Sequence, residues 1–511
     1  MPPDRIIHVT ALLGCALLGA CNDTRHLAPA SANTPWQYQA AQEAPAASPA
    51  PTPLTPPSPA RPKFEVPDNA EASMPSAADI RADQVYSLVE LIDIAQRRNP
   101  STRIAWEQAV QAAINVGIAR AAYLPVLTAS AIAGQEHVVA PFPSTLVPAG
   151  FIQADIREVV PQIAINYLIF DFGGRSARVE EAEHYSFAAN VRFTAAHQRV
   201  IFNVARLYFM MSATDAAVRA AQFAVNDARV VQQAAEGLSG RGLATVVDVQ
   251  LARRGTAQAE YNLAQAKAGQ RDALYGLLAV LSVPPTTRLQ VADVSQRPLP
   301  PRSSRAVDDV LKDALRRRPD LLAEVAKVRA SDANIAAARS ALGPRVSLGA
   351  NIQGNISQMS VDYGPYLGVA QPQHAILLKV EWPLYDGGAL QNKLRIARSQ
   401  RDAAESQLKE RTDQALREVA LAYDQINTGL DQYQAATALL AASETAFRSA
   451  SASYAQGVGT LTDTALAQTG LASARAAVIQ AHAQSLVNAA ALAFATGELT
   501  SSSNFDAQRA R

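Results

Sequence analysis

The sequence is poor in cysteine and in aromatic residues. Its 511 residues include two cysteines, Cys15 and Cys21, and both lie close to the N-terminus. If Cys21 becomes the first residue of the mature protein, no other cysteine remains, which excludes disulfides and thiol chemistry. Aromatic residues make up 6% of the chain, a composition that suits long, closely packed helices better than a bulky globular core.

The sequence also lacks the signs of nucleic-acid binding and of catalysis. The formal net charge is +1, and the basic residues are spread among the acidic ones, so no basic stripe predicts a nucleic-acid partner. The seven histidines show no metal-ligand spacing, and neither a phosphate-binding loop nor a serine nucleophile elbow is present. Asp171-Phe172-Gly173 matches a kinase tripeptide but has none of the accompanying kinase motifs. We therefore predict no enzyme activity, no metal and no cofactor.

The N-terminus has the features of a secretion signal. Val9 to Ala20 is apolar or small apart from one threonine, and it is too short for a membrane-spanning helix, which needs about 20 apolar residues. Leu18 to Cys21 resembles a bacterial lipoprotein cleavage box, so we predict a lipid on Cys21. Asn22, the residue after it, favours the outer membrane by resemblance to sorted lipoproteins. The alternative is an ordinary signal peptide with an incidental cysteine.

The rest of the chain contains one large unit twice. Arg97 to Pro100 recurs as Arg316 to Pro319, a shift of 219 residues (97 to 316). Farther along, Asp171 corresponds to Asp386, a shift of 215 (171 to 386). The change of four falls after Pro125, so we expect a longer loop in the first copy between Pro125 and Asp171. Two copies predict a pseudo-symmetric protomer in which each half supplies the same parts.

The repeat and the proline distribution together predict the domain organisation. Twelve of the 30 prolines lie between Pro29 and Pro75, which is typical of an extended tether without a core of its own. The predicted segments are a signal peptide at 1–20, a lipid-anchored tether at 21–78, a first repeat at 79–284, a linker at 285–305, a second repeat at 306–497 and a tail at 498–511.

Each copy shows the same succession of periodicities. A first helix is predicted from Ser87 to Tyr123 and from Val307 to Leu342, because a proline follows each segment. Alternating apolar residues then predict a pair of strands. Heptad-like spacing predicts a coiled-coil helix in each copy, from Gly388 to Gln456 in the second, with a length of roughly 100 Å. A glycine-bearing turn leads to a returning helix, Thr245 to Leu281 or Leu461 to Ala495.

The predicted strands point to a membrane barrel built by several chains. Two strand pairs give four strands, whereas a closed membrane barrel needs at least about eight. Open sheet edges are not tolerated in lipid, so we expect closure by oligomerisation, and three copies of four strands give twelve. Lys379 and Glu381 alternate with apolar residues, which indicates a wet lumen. The strand ends that face the helices carry aromatic residues at related positions, as in an interfacial girdle: Tyr167, Phe170, Trp382 and Tyr385. The alternative is that these four are core aromatics of a soluble sheet.

These features resemble the TolC outer-membrane channel family from about residue 85 to residue 497. The motifs that carry the resemblance are Arg317 to Asp320, Tyr385 to Gly388 and Val458 to Asp463, in matching order and duplication. The resemblance implies a mainly α fold with a membrane β-barrel: a two-repeat protomer whose trimer forms a 12-stranded β-barrel continuous with a long α-helical coiled-coil barrel. It also implies a bacterial outer-membrane location extending into the periplasm. The implied partners are two further copies, a periplasmic adaptor, an inner-membrane pump and outer-membrane lipid.

The same resemblance places the periplasmic tips at the two glycine-bearing turns. Asp463 matches a family aspartate that lines the constricted entrance, Asp248 is its counterpart in the first copy, and Tyr454 matches a tyrosine that helps to hold the entrance shut. Threefold repetition would make each aspartate a ring of carboxylates that selects cations. The alternative is that both aspartates are helix N-terminal carboxylates that interact with the helix dipole, and the two functions are compatible. The predicted tip and adaptor-contact residues are Gly242, Leu243, Thr245, Gly457, Gly459, Thr460 and Leu461.

The sequence departs from the family pattern at this entrance. Gly459 stands where an arginine latch is often found, and Leu466 stands where a second aspartate follows. We therefore expect no arginine latch and a weaker filter. Tyr454 has Ser239 as its counterpart in the first copy (454 minus 215), so we expect the second coil pair to move if only one does.

The predicted function is a passive outer-membrane duct of a tripartite efflux system. The lipoprotein anchor favours an inner-membrane pump of the resistance-nodulation-division type. Two alternatives stay open: the outer-membrane duct of a type I protein secretion system, and a non-conducting lipid-anchored periplasmic coiled-coil tether. The tether explains the long helices and Cys21 but does not predict alternating strands at matching places in both copies.

Overall fold

The computed structural model describes residues 73–76, 79–302 and 304–501. Every element described below belongs to the unit Ser76–Arg511. Cys21, the predicted signal peptide and nearly all of the predicted tether lie outside the described residues. Within those residues, no helix combines the length and the apolar composition that crossing a membrane requires.

Long helices and two strand pairs dominate this unit. The elements in chain order are β1 (Val85–Tyr86), α1 (Leu88–Arg98), α2 (Pro100–Ala121), β2 (Val126–Pro141), β3 (Phe151–Phe170), α3 (Gly174–Gly240), α4 (Val246–Val280), β4 (Gln290–Val291), α5 (Val307–Arg317), α6 (Pro319–Ser340), β5 (Arg345–Val361), β6 (Leu367–Glu381), α7 (Ala389–Ala455) and α8 (Leu461–Ala495).

Corresponding helices of the two copies have the same number of residues. The long helices α3 and α7 have 67 residues each, and the returning helices α4 and α8 have 35 each. At 1.5 Å per residue, α3 and α7 are each roughly 100 Å long, as the heptad spacing predicts. The hairpin loops differ: 142–150 has nine residues and 362–366 has five. The difference of four accounts for the change of shift from 219 to 215 and confirms the longer loop in the first copy.

The predicted single helix before each hairpin is wrong, because each is two helices. Helices α1 and α2 meet at Asn99, and α5 and α6 meet at Arg318, which have extended backbone conformations (φ −66°, ψ 123° and φ −68°, ψ 121°). The next residue in each copy is a proline at the first helical position. A proline disfavours helical conformation in the residue before it but starts a new helix readily. Pro100 and Pro319 therefore divide the predicted helices, and the prolines that follow each segment only mark its end.

The two helix junctions hold the ends of the returning helices in equivalent ways. The Asn99 side-chain amide donates to the carbonyl of Val280 at the end of α4 (2.9 Å). The Arg318 guanidinium donates to the carbonyl of Ala495 at the end of α8 (3.1 Å). Asn99 and Arg318 are equivalent positions (a shift of 219), and so are Val280 and Ala495 (a shift of 215). The duplication therefore extends to this contact. Each bond satisfies a carbonyl that the helix itself leaves unpaired.

Arg318 is also the buried centre of a partly exposed ion network. Its side chain is 6% exposed, and it binds Asp320 (Nη2–Oδ2 2.7 Å) and Glu418 on α7 (Nη2–Oε2 2.5 Å). Arg411 on α7 approaches the same Asp320 oxygen (Nη2–Oδ2 2.5 Å) and Glu418 (Nη1–Oε1 3.3 Å). Two arginines and two carboxylates thus neutralise one another at the meeting point of α6, α7 and α8.

The four long strands form one antiparallel sheet in the order β2-β3-β5-β6. Strand β3 pairs with β5, so the two hairpins join through the second strand of the first copy and the first strand of the second. Strands β2 and β6 are the edges, each with one row of backbone groups that no strand of the described chain pairs. The sheet is therefore open, as four strands predict.

The largest buried cluster joins the first copy to the predicted linker. A fully buried leucine, isoleucine or valine contributes about 1.5–3 kcal/mol, so this cluster is a major source of stability. The predicted linker is part of it: Leu289 is buried, and β4 pairs in parallel with β1 through Val85 and Gln290. This two-residue pairing was not predicted from the sequence. The largest fully buried members of the cluster are Leu91, Ile92, Ile201, Val204, Tyr208, Leu277, Leu278, Leu281 and Leu499.

Candidate functional site: the sheet faces and the coil tips

One face of the sheet is apolar in the half that is nearer the helices. The strand register places Ile165 opposite Ala350, and Ala350 opposite Ile376. In the next row on this face, Tyr167 is opposite Leu348, and Leu348 is opposite Leu378. Side chains in such rows point to one side because successive residues of a strand alternate between faces. Ile376 and Leu378 are exposed in the protomer, as side chains that face lipid would be.

The predicted girdle residues lie at the end of this face. A register shift between Leu168 and Phe170 lets Tyr167 pair with Leu348 and Phe170 with Val346, so both rings are on the apolar face. This β-bulge explains how residues three apart share a face.

The second-copy girdle residues lie just beyond β6. Trp382 follows the last residue of the strand, and its indole N–H donates to the carbonyl of Leu342 (3.1 Å). Tyr385 is three residues farther along and 90% exposed. Their contact with lipid stays a prediction.

The opposite face of the sheet has a polar row across its centre and an ion pair near the helices. Its central row consists of Ser130, Gln162, Gln353 and Gln373, one from each strand. The Gln353 amide donates to the Gln373 side-chain oxygen (3.0 Å). Nearer the helices, Lys379 pairs with Glu381 (Nζ–Oε2 2.5 Å). Only this last pair was predicted from the sequence, although Ser347, Asn351 and Gln353 at alternate positions of β5 also indicate a polar face.

The two coil tips are tight turns with exposed apolar residues. Gly242 and Gly457 have positive φ angles of 75° and 78°, conformations that favour glycine. Leu243 and Val458, which follow them, are 68% and 79% exposed. Leu461 is an exception among the predicted adaptor-contact residues, because it is 4% exposed and packs inside the tip. Its assignment as an adaptor contact is therefore wrong.

Thr245 and Thr460 cap the returning helices, and Asp248 and Asp463 in the first turn bond back to them. The Asp248 carboxylate accepts from the Thr245 backbone N–H and hydroxyl (both 2.8 Å), and the Asp248 N–H donates to the Thr245 hydroxyl. In the second copy the Thr460 hydroxyl donates to Asp463 (2.6 Å), whose N–H donates back to it. The backbone N–H of Thr245, and then its hydroxyl, lower the pKa of Asp248 below its ordinary value. Asp248 is therefore ionised at neutral and mildly acidic pH.

Tyr454 lies in a cluster that joins both coil pairs at the tip. It is 5% exposed. Its hydroxyl is buried and has no hydrogen-bond partner among the described residues. Burial, and then the negative charge of Asp248, raise the pKa of Tyr454. The structure thus brings Tyr454 of the second copy into electrostatic reach of Asp248 of the first. The cluster comprises Val231, Ala235 and Leu238 of α3, Ala252 of α4, Phe447 and Tyr454 of α7, and Leu461 and Leu471 of α8.

Comparison with known proteins identifies this arrangement. The family described as outer membrane efflux protein matches residues 91–282 and 310–498, which are the two copies. Protein CyaE of Bordetella pertussis is 29% identical over 430 residues, covering 83% of this chain and 86% of the relative. The cation efflux system protein CusC of Escherichia coli O157:H7 is 25% identical over 331 residues, covering 64% of this chain and 70% of the relative.

Solved structures show the same fold. The crystal structure of CusC superposes with a TM-score of 0.68 at 20% identity, covering 84% of this chain and 99% of that chain. The outer membrane protein VceC of Vibrio cholerae gives 0.66 at 21% identity, covering 80% and 95%. These likenesses confirm the predicted fold class, a mainly α two-repeat protomer of a trimeric β-barrel and α-helical barrel.

The family match extends over most of the chain and over both copies. It confirms the resemblance on which the sequence prediction depends, and with it the outer-membrane location and the prediction that the chain is not an enzyme. The chain belongs to the outer membrane efflux protein family.

Proposed function

We propose that this protein is the passive outer-membrane duct of a tripartite efflux system. The observation that carries the proposal is the four-stranded sheet with one apolar face, one polar face and two open edges, continuous with two coil pairs of roughly 100 Å. Three copies close the sheet edges, direct the apolar faces to lipid and enclose the polar faces around water. Single-channel recording on the purified oligomer tests the duct, because a coiled-coil tether without a pore conducts no ions.

The coil tips are the proposed contact with a periplasmic adaptor. Leu243 and Val458 are exposed there, together with Val246 and Val247 at the start of α4. Apolar residues exposed at the ends of rigid coils are a typical protein interaction surface. Gly242, Thr245, Gly457, Gly459 and Thr460 shape these turns. The adaptor would connect the duct to an inner-membrane pump of the resistance-nodulation-division type, which supplies the energy.

The proposed cargo is small toxic compounds. Relatives whose names specify a role include an efflux protein of Brucella suis and the cation efflux protein CusC, which supports efflux. Deletion of the gene distinguishes this from type I secretion. Increased sensitivity to small compounds supports efflux, whereas loss of a secreted polypeptide with unchanged sensitivity supports secretion.

At the entrance we propose that Asp463 and Asp248 select cations in addition to capping their helices. Asp463→Asn removes three charges from the trimer and should reduce cation preference in bilayer recordings, and it should weaken block by trivalent cations. Thr460→Ala is the matched control: it removes the cap and keeps the charge, so stability falls by about 1 kcal/mol while selectivity is retained. Unchanged selectivity in Asp463→Asn would leave Asp463 with the capping role alone.

The proposed lipid anchor is Cys21. Cys21→Ser should abolish incorporation of labelled palmitate into the protein in growing cells, because lipid attachment to a lipoprotein box begins at the cysteine thiol, and a serine hydroxyl does not replace it. Cys15→Ser is the control and should leave the labelling unchanged. Labelling that persists in Cys21→Ser and disappears in Cys15→Ser would move the anchor to Cys15.

A further inference from the structure

A cationic groove lies where the helices meet the sheet. It has a volume of about 360 Å³ and is formed by α3, α6 and α7 and the start of β5 within one protomer. Arg345, the first residue of β5, lines it. Arg345 is two residues from Ser347, so it lies on the polar face of the sheet. At its β5 end the groove therefore meets the face of the sheet that the proposed duct directs to its lumen.

Three basic side chains line this groove: Arg178 on α3, Arg345 on β5 and Lys393 on α7. Arg178 and Lys393 are equivalent in the two copies, since 178 plus 215 is 393. Among the described residues, none of the three has a carboxylate within ion-pair distance or a side-chain hydrogen-bond partner. Glu381, which is opposite Arg345 across the strand pair, forms its ion pair with Lys379 (2.5 Å) and interacts with the Arg345 charge only at longer range.

One acidic residue, Glu181 on α3, also lines the groove. Burial raises the pKa of Glu181, and the Arg178 charge opposes that increase. Three cations and one carboxylate leave the groove with an excess of positive charge. Such an excess in a partly enclosed space attracts an anion more strongly than the same charges on an open surface.

The remaining lining is mostly apolar. It includes Ala337, Ala341, Leu390 and Ile396. Apolar walls beside uncompensated cations match a molecule that has an acidic group attached to an apolar body. A small inorganic anion would leave the apolar surface wet and gain only the charge interaction.

We infer that this groove binds amphiphilic organic anions, with the acidic group between Arg178, Arg345 and Lys393 and the apolar body against α6 and α7. The inference rests on the proposed function for its biological meaning, because a lumen site is useful only in a duct. The trimer carries three such grooves at the junction of barrel and tube. These three grooves would form a ring of anion-binding sites at the end of the helical tube opposite the acidic entrance.

Equilibrium titration of the purified trimer in non-ionic detergent with 2-naphthalenesulfonate tests the site. Arg178→Gln combined with Lys393→Gln should weaken binding at least tenfold, and Glu181→Gln should tighten it severalfold because a repelling charge is removed. Arg339→Gln is the matched control, since it removes an arginine of α6 outside the groove lining and should leave binding unchanged. The uncharged analogue 2-naphthalenemethanol should bind at least tenfold more weakly than the sulfonate.

Several results would overturn the inference. Equal affinity in the double variant and the wild type, equal loss in Arg339→Gln, or binding of the alcohol as tight as that of the sulfonate each contradict it. Competition by inorganic sulfate at the same concentrations would replace it with a simple anion site. Conductance of the same preparations separates the two proposals, because a conducting trimer without sulfonate binding contradicts only the groove, and a binding trimer without conductance contradicts only the duct.

Discussion

Tyr454→Ala is expected to open the periplasmic entrance and to raise single-channel conductance. Tyr454 fills a cluster shared by all four coil helices at the tip, so its removal leaves a cavity between the two coil pairs. Deleting a buried aromatic side chain costs about 3–5 kcal/mol. A loss of about 3 kcal/mol from the closed arrangement alone changes the ratio of closed to open channels by roughly 100-fold.

Tyr454→Phe separates packing from a hydrogen-bonded latch. The phenylalanine ring keeps the contacts and removes only a hydroxyl that has no partner among the described residues. Conductance should therefore stay near that of the wild type, and stability should be unchanged or slightly higher. Ser239→Ala, at the equivalent position of the first copy, is the control that shows whether any substitution at the tip changes conductance. Opening by Tyr454→Phe as large as that by Tyr454→Ala would show that the hydroxyl holds the entrance shut.

Arg318→Ala is expected to cause the largest loss of stability of any single substitution at the helix junctions. It leaves the Ala495 carbonyl without its side-chain donor and leaves Asp320 and Glu418 with only Arg411. Removing one partner of a fully buried ion pair costs about 3–5 kcal/mol. Asp320 and Glu418 are 26% and 43% exposed and keep Arg411, so we expect a smaller loss of about 2–3 kcal/mol. Unfolding of the purified trimer, followed by circular dichroism, should show the loss.

Asn99→Ala is the matched control in the first copy. It removes the equivalent bond to Val280 and the cap of α2, but it leaves no charge behind, so the expected loss is about 1–2 kcal/mol. Equal losses in the two variants would contradict a special role for the ion network.

The Arg318 network also predicts a dependence on pH. Burial alone would raise the pKa of Asp320, but hydrogen bonds from Arg318 and the charges of Arg318 and Arg411 lower it below its ordinary value. A lowered pKa stabilises the folded state above the unfolded-state pKa of about 3.9, and the contribution is lost as pH falls through the folded value. The wild type should therefore lose more stability below about pH 4 than Arg318→Ala does.

The sequence alone was enough to predict the elements that depend on periodicity. Helices α7 and α8 lie within a residue or two of their predicted bounds, because glycines mark both ends of the coil and the apolar spacing is regular. The strand count and the open edges followed from alternation. The break at Pro100 and Pro319 was missed because a proline at a helix start differs from one at a helix end only in the residues around it.

Features that depend on contacts distant in sequence were not predictable. The Arg318 network joins residues about 90–180 positions apart, and β1 and β4 have only two residues each. The proximity of Tyr454 to Asp248 depends on how the two coil pairs pack, which neither heptad pattern specifies. Leu461 was misplaced for the same reason, since its side chain turns into the tip cluster instead of toward a partner.

Planar-bilayer recording on the purified full-length trimer tests the duct most directly. We expect uniform single-channel steps that prefer cations, with larger conductance in Tyr454→Ala than in the wild type. The Tyr454→Ala variant is needed because a wild-type trimer with a closed entrance would conduct no ions even if it is a duct. A well-folded Tyr454→Ala trimer that inserts into the bilayer and conducts no ions would contradict the duct and favour the tether.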